Sequence, residues 1–276
     1  MLYSCTLLFM YRLFLIISLA CLLTTTTNGQ TMPAFKAVGS DTLITNLPGQ
    51  PGFQNVVIKD YNKQVTETGQ YLNGLRHGQW VTLYQPDSLI HTLSIYEKGL
   101  LNGLSLSFEK NMQLEDEANY ANGKLNGIHR AYKHGKVEIL ENYQNGQLHG
   151  SYLKYHSNGK IQEQSTYKNG LKNGKATWYY DNGELLTEYN YVNGNINGKI
   201  QSFYKDKTLR TETEYLNNEM NGLFKSYYEN GKPKEEGRYV NGKKNDEWKY
   251  FNEEGKPVKT VQYKMGAVVK ETPLNK

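Results

Sequence analysis

Histidines and cysteines are the side chains in this sequence with the clearest capacity to bind a metal. The chain of 276 residues contains six histidines, and its two cysteines are Cys5 and Cys21. Four histidines stand at predicted turns: His77, His134, His149 and His156. Histidine is enriched at positive φ, so we expect a structural role for these four. His91 and His129 have no partner at ligand spacing, and the sequence predicts neither a metal site nor a bound cofactor.

Carboxylates are the second set that could do chemistry, because close pairs of them serve as general acid and base. They recur three or four residues before a repeated tyrosine, at Glu67, Glu117, Glu163, Glu188, Glu212, Glu235 and Glu236. Their spacing predicts a separation of about 10 Å, close to the Debye length, so we interpret them as a solvated charged face that also protects sheet edges. The sequence shows no Ser-His-Asp or Cys-His grouping, phosphate loop or dinucleotide motif. We predict that the protein is not an enzyme.

A tyrosine that returns every 23–25 residues sets the architecture that must position all of these groups. These anchor tyrosines are Tyr71, Tyr96, Tyr120, Tyr143, Tyr167, Tyr191, Tyr215, Tyr239 and Tyr263. A fixed period of this length indicates a repeat array in which each unit buries its apolar side against its neighbours.

Glycines recur at fixed positions in the repeats and predict the turns. Glycine follows most anchors by three residues, with Asn218 as the exception, and a second glycine comes four residues later, replaced once by Asp246. Asn and Asp tolerate left-handed backbone, so both positions are predicted to need positive φ and to form a tight reversal together. A second turn in mid-repeat is marked by pairs such as Asn158-Gly159 and Asn182-Gly183.

The segments between the turns are rich in the residues typical of strands. Two columns are apolar in each full repeat, represented by Tyr155 and Ile161. The even offset from Ile161 to Tyr167 predicts that both lie on one face, and the column of Tyr155 is expected to fill the gap between neighbouring anchor rings. The predicted fold is therefore all-β: an elongated, single-layer antiparallel meander of β-hairpin repeats of about 24 residues, forming a rod of order 80 Å.

The N-terminus differs from the array. Arg12 precedes an apolar run that ends at Leu23, which predicts a signal peptide over residues 1–29 cleaved after Gly29. The mature chain would then be free of cysteine and exported, that is periplasmic, outer-membrane-associated or extracellular. A lipoprotein attached at Cys21 and an uncleaved anchor are the alternatives. Residues 30–58 are predicted as linker and N-terminal cap, 59–266 as the repeat array, and 267–276 as the C-terminal tail.

Charge and hydropathy narrow the classes of partner. The net charge of +5 is spread along the chain, and the mean hydropathy is −0.71. We therefore expect no nucleic-acid ligand and no thick aliphatic core.

One column of variable residues could be a binding surface. Tyr180, Tyr204 and Tyr228 stand six residues past the second glycine, and Trp178 lies two residues before Tyr180. In a regular strand these four would form an exposed aromatic strip, which is our candidate surface for a protein or a sugar. The alternative is a second packed layer, or a bulge that turns the rings inward.

The stretch from Tyr239 to Phe251, followed by Glu254-Gly255-Lys256, resembles the MORN-repeat variant of bacterial proteins labelled YwqK-family antitoxins. The resemblance covers about residues 59–266 and implies a β-hairpin array used for association, in scaffolding, dimerisation or membrane contact. We expect a scaffold that binds another protein. A glycan or cell-wall module, suggested by Trp178-Tyr179-Tyr180 with Asn182-Gly183, and an antitoxin that neutralises a toxin are the alternatives.

Overall fold

The computed structural model describes residues 41–274, and these residues form strands joined by turns. The strands are β1 (Asp41–Asn46), β2 (Phe53–Lys59), β3 (Val65–Leu72), β4 (Leu75–Leu83), β5 (Ile90–Glu97), β6 (Leu100–Phe108), β7 (Leu114–Ala121), β8 (Lys124–Lys133), β9 (Lys136–Gln144), β10 (Gln147–Tyr155), β11 (Ile161–Lys168), β12 (Leu171–Lys172), β13 (Gly174–Tyr179), β14 (Leu185–Val192), β15 (Asn195–Ile196), β16 (Gly198–Phe203), β17 (Leu209–Leu216), β18 (Glu219–Tyr227), β19 (Pro233–Val240), β20 (Lys243–Phe251), β21 (Pro257–Lys264) and β22 (Ala267–Pro273). Across the described range, no helix is long and apolar enough to span a membrane.

The strands follow one another through a single open sheet. Apart from the edge strands β1 and β22 and the short strands β12 and β15, each strand pairs antiparallel with neighbours that precede and follow it in the chain. The short strands β12 and β15 continue into β13 and β16 after interruptions at Asn173 and Asn197. The prediction of an all-β, single-layer antiparallel meander of hairpins is confirmed.

Two-residue turns connect the strands on one side of the sheet, which we call the tight-turn edge. In the turn from β9 to β10, Asn145 and Gly146 have φ values of 52° and 84°. Positive φ at both central residues defines the type I′ turn that suits the twist of a hairpin. Asn217 and Asn218 form the same turn without glycine, with φ of 51° and 70°.

The second glycine of the repeat is not part of this reversal, so that prediction was wrong. Gly150 has a φ of 98° as expected, but it lies inside β10. There the register passes from Leu148 paired with Tyr143 to Tyr152 paired with Glu141, so three residues of β10 oppose a single residue of β9. The glycine is the centre of a β-bulge, and it faces the next anchor, Tyr167, across the sheet.

Longer turns connect most of the strands on the other side, which we call the mid-turn edge, and His134-Gly135 forms a two-residue turn there between β8 and β9. In the turn after β10, the amide of Gly159 donates to the carbonyl of His156 (2.8 Å), and the amide of His156 donates to the carbonyl of Lys160 (2.8 Å). Gly159 has a φ of 84° and closes a type I turn. The same position is held by Lys207 at 75° and Met112 at 63°, which are residues that tolerate this backbone less well.

A second bulge after each of these turns changes which face the apolar columns occupy. Lys154 pairs with Glu163, but Tyr155 pairs with Ile161, so β11 carries one extra residue. The bulge rotates Ile161 to the face of Tyr155, opposite to the face of Tyr167. The prediction that Ile161 and the anchor share a face was wrong because it assumed a regular strand.

The face that carries the anchor tyrosines, the anchor face, buries a different column between its rings. This column stands two residues after the second glycine: Trp80, Ser105, His129, Tyr152, Ala176, Ile200, Phe224 and Trp248. Trp248 lies 5.0 Å from the ring of Tyr239 and 6.2 Å from that of Tyr263, measured between centroids. These distances are in the range preferred by aromatic pairs, although the residues differ from those we expected.

Cations cover the tryptophans of the anchor face. Lys244 Nζ lies 3.8 Å from the centroid of Trp248 and 2.9 Å from a carboxylate oxygen of Glu235. Arg76, paired with Glu67, covers Trp80 in the same way at 4.2 Å. Trp80 is 1% exposed and Trp248 is 0% exposed, so side chains within one layer shield the rings from water.

Residues 41–58, which the sequence assigned to the linker and cap, form all but the last residue of the hairpin of β1 and β2, and Val56 in β2 is fully buried. The predicted signal peptide, its cleavage after Gly29 and the alternative lipid site at Cys21 lie outside the described residues.

Candidate interaction surfaces

Three of the four candidate surface residues form one ladder along the mid-turn edge. The hydroxyl of Tyr180 donates to the carbonyl of Phe203 (2.9 Å), and that of Tyr204 donates to the carbonyl of Tyr227 (2.8 Å). Tyr228 makes the same bond to the carbonyl of Phe251 (2.8 Å). Each ring therefore reaches from its own repeat to the next one. We call Tyr180, Tyr204 and Tyr228 the tyrosine ladder.

These tyrosines are the first residues of their turns and lie just beyond the strands. The amide of Tyr204 donates to the carbonyl of Thr208 (2.8 Å), and its carbonyl accepts from the amide of Lys207 (3.0 Å). All three rings are partly exposed. His156 occupies the equivalent position one repeat earlier, with Nε2 3.0 Å from the carbonyl of Tyr179, so it extends the ladder without a phenol ring.

Trp178 does not belong to this ladder. It lies on the anchor face, where its ring is 5.2 Å from Tyr189 and 4.6 Å from Lys172 Nζ. Lys172 in turn binds Glu163 at 2.5 Å. The register shift between Trp178 and Tyr179 separates the tryptophan from Tyr180.

Asparagines of the mid-turns reinforce the ladder. Asn158 Nδ2 donates to the carbonyl of Asp181 (2.7 Å), and Asn230 Nδ2 donates to that of Glu253 (2.8 Å). The same asparagines accept an amide hydrogen within their own turn through Oδ1. Adjacent turns are thus held together by side chains as well as by the sheet.

The face opposite the anchor tyrosines, the second face, carries an aliphatic surface near its N-terminal end. Leu93, Leu106 and Phe108 form a buried cluster there. On the same face, Leu75 is 49%, Ile95 37%, Leu100 50% and Ile128 38% exposed. We call Leu75, Ile95, Leu100 and Ile128 the aliphatic patch.

The C-terminal half of the same face carries salt bridges beside exposed aliphatic side chains, among them Leu171, Leu216 and Leu223. Lys175 pairs with Glu188 at 2.5 Å and Lys199 with Glu212 at 2.9 Å across neighbouring strands. Such exposed pairs contribute little stability. The two halves of the second face therefore differ in their salt bridges, while both expose aliphatic side chains.

His129 is the centre of a hydrogen-bonded cluster of titratable side chains. Its Nε2 lies 2.6 Å from Asp116 on β7 and its Nδ1 lies 2.8 Å from Glu141 on β9. These hydrogen bonds to two carboxylates raise the pKa of His129 to about 9, and the His129 contact lowers the pKa of Glu141. The hydroxyl of Tyr143 donates a hydrogen bond to Glu141. Burial of the ring, together with this hydrogen bond, raises the pKa of Tyr143 to about 12.

This cluster was missed in the sequence because its partners lie 13 and 12 residues away and meet only through the strand register. At neutral pH the imidazolium joins three strands as a structural clamp. Among the described residues, no group of three metal-ligating side chains could hold a metal ion.

The position before the second glycine also differs from our prediction, because it does not require positive φ. Asn126 Oδ1 accepts from the amide of Asn145 in the next tight turn (3.2 Å), and Asn173 Oδ1 does the same for Asn193 (3.2 Å). His77 and His149 fill this slot in other repeats without adopting positive φ. In these two repeats, histidine takes the place of the asparagine whose side chain accepts that hydrogen bond. Of the four histidines predicted to need positive φ, only His134 adopts it, at 51°.

The chain is similar to known proteins over part of its length. No curated protein matches the chain. Solved structures do match; one is a mutant of S. aureus TarM in complex with fondaparinux, alpha-GlcNAc-glycerol and UDP, 17% identical over 46% of this chain and 22% of the TarM chain, with a TM-score of 0.24. Three segments, residues 148–169, 172–193 and 220–241, match the family model described as MORN repeat variant. The chain thus contains MORN-type repeats.

Proposed function

We propose that this protein is an exported, non-enzymatic repeat scaffold that binds another protein. The aliphatic patch carries the proposal. Four large aliphatic side chains, each 37–50% exposed, lie on the second face in the part of the sheet that also holds the buried cluster of Leu93, Leu106 and Phe108. Large exposed apolar side chains grouped on one face are typical of protein–protein interfaces.

The remaining features support binding over catalysis. The residues with strongly shifted pKa values are His129, Tyr132, Tyr143 and Tyr167, which lie in strands and bond or pack within the sheet. MORN-type repeats commonly mediate protein or membrane interactions, and this supports an associative role.

The test is a crosslinking pull-down from native envelope fractions with the mature chain as bait. Leu100→Lys and Ile95→Lys place charges in the aliphatic patch, whereas Leu216→Lys changes a leucine of similar exposure (55%) in the C-terminal half of the same face. We expect proteins recovered by the wild type and by Leu216→Lys to be lost with the patch variants. Equal recovery by all variants would refute the patch as the contact surface.

The exported location is tested separately by fractionation and N-terminal sequencing. We expect the mature protein outside the cytoplasm, beginning at Gln30. A lipidated N-terminus at Cys21 would favour the lipoprotein alternative, and residence in the cytoplasm beside a toxin would favour the antitoxin role.

A further inference from the structure

We propose that the tyrosine ladder is a second binding site, for a neutral, extended β-1,4-linked polysaccharide. The site goes beyond the proposed protein-binding role, because it lies on the mid-turn edge and uses none of the residues of the aliphatic patch.

The spacing of the ladder is the first argument. Neighbouring strands of a sheet are about 4.8 Å apart, so residues that recur once per hairpin repeat every ~10 Å. A disaccharide of an extended β-1,4-linked chain has nearly this length. One ring per hairpin therefore matches one ring per disaccharide in spacing. Three rings span about the length of a hexasaccharide, whereas a β-1,3-linked chain is helical and does not keep this repeat.

The rings are also fixed before any ligand arrives. The hydroxyl of each ladder tyrosine is held by the next repeat at 2.8–2.9 Å, and its backbone amide and carbonyl are both bonded within its own turn. Tyrosine has only two side-chain torsions to restrict, and here both are already restrained. Binding therefore costs little conformational entropy, which favours a flat ring as a stacking platform.

The charge around the ladder selects a neutral ligand. The turns at 180–184, 204–208 and 228–232 contain four carboxylates and three lysines. Two lysines are already paired, Lys205 with Asp181 at 2.9 Å and Lys207 with Glu184 at 3.2 Å. A nucleic acid or another polyanion would meet no excess of positive charge, since its affinity depends on unpaired cations.

Lysine side chains lie over two of the rings. Lys205 Nζ lies 5.7 Å from the centroid of Tyr180, and Lys234 Nζ lies 5.5 Å from that of Tyr228. Lys205 and its partner Asp181 are each about 60% exposed. These long side chains can move aside and hydrogen-bond to the edges of a sugar that stacks on the ring.

The proposal is tested by calorimetric titration of the mature chain with chitohexaose and cellohexaose, their disaccharides and tetrasaccharides, laminarihexaose, and heparin as a polyanion. We expect affinity for the β-1,4 series to rise up to the hexasaccharide, with weaker binding of laminarihexaose and heparin. Tyr204→Ala removes the central ring and is expected to weaken hexasaccharide binding by about tenfold. Tyr204→Phe keeps the ring and is expected to retain binding.

Tyr84 supplies a matched control. Its hydroxyl donates to the carbonyl of Phe108 at 2.9 Å, but Glu109 follows it in the next repeat, so it stands outside the ladder. Tyr84→Ala should cost similar stability and leave binding unchanged. Equal affinity of wild type and a folded Tyr204→Ala, preference for laminarihexaose or heparin, or no binding of either β-1,4 hexasaccharide by the wild type would each overturn the proposal. If Tyr204→Ala does not fold, the wild-type series decides alone.

Discussion

Replacing Gly237 with alanine tests how the anchor face is packed. Gly237 does not adopt positive φ, so its backbone tolerates a side chain. An added Cβ would nevertheless lie 2.5 Å from Cγ of Trp248 and closer still to other atoms of that ring. The indole cannot retreat easily, because its Nε1 donates to the carbonyls of Arg238 and Asn245 and Lys244 covers its other side.

Overpacking of a fully buried ring costs about 2–3 kcal/mol. We therefore expect Gly237→Ala to lower the free energy of unfolding by this amount, measured by urea denaturation with tryptophan fluorescence. Amide hydrogen exchange should show that protection is lost first in residues 233–264, because stability in a repeat array is largely local.

Two controls separate a steric clash from a general effect of substitution. Ser165→Ala changes the equivalent buried position, where a Cβ is already present, and should cost about 1 kcal/mol for its lost bond to Glu163. Trp248→Phe should rescue Gly237→Ala, because Thr213 and Phe224 form the equivalent pair one repeat earlier. A Gly237→Ala protein within about 0.5 kcal/mol of wild type, or purely additive effects in the double variant, would refute the packing argument.

Three further changes test other parts of the array. The pKa of His129 is raised from 6.5 to about 9, so its contribution to the free energy of unfolding is complete below pH 6.5 and is lost as pH rises through about 9. After allowance for solvent screening, we expect this contribution to be ~2 kcal/mol. Thermal unfolding of wild type and His129→Gln between pH 6 and 10 measures this, and equal pH profiles would contradict it. Lys207→Gly should stabilise the protein by ~0.5 kcal/mol, because glycine accepts the φ of 75° at that turn, while Lys205→Gly should not. A destabilised Lys207→Gly would show that its exposed pair with Glu184 matters more than backbone strain. Tyr84→Phe should lower the free energy of unfolding by about 1 kcal/mol in urea denaturation, because it removes the hydrogen bond to the carbonyl of Phe108. An unchanged free energy of unfolding would mean that water bonds to this carbonyl instead.

The strands and turns could be predicted from the sequence because their requirements are local. Positive φ at Gly146 or Asn218 follows from the residue type and its immediate neighbours, and the period of the anchor tyrosines then fixes the meander.

The face of the sheet on which each side chain lies could not be predicted in the same way. Each repeat contains two bulges, and each one changes the alternation of side chains that assigned Ile161 to the anchor face. The His129 clamp and the separation of Trp178 from Tyr180 depend on the same shifts in register. The sequence grouped Tyr180, Tyr204 and Tyr228 correctly by position, but it contained no sign that their hydroxyls bond to the next repeat.

The chain has three tryptophans, and they divide the array into regions that can be observed separately. Trp80 lies in β4, Trp178 in β13 and Trp248 in β20, and each has a cation within 4.6 Å of its ring centroid. A set of variants that keep one indole each would report the melting of the beginning, middle and end of the sheet without any added dye. Stopped-flow traces from such a set would show whether the sheet comes apart from one end, from both ends or all at once.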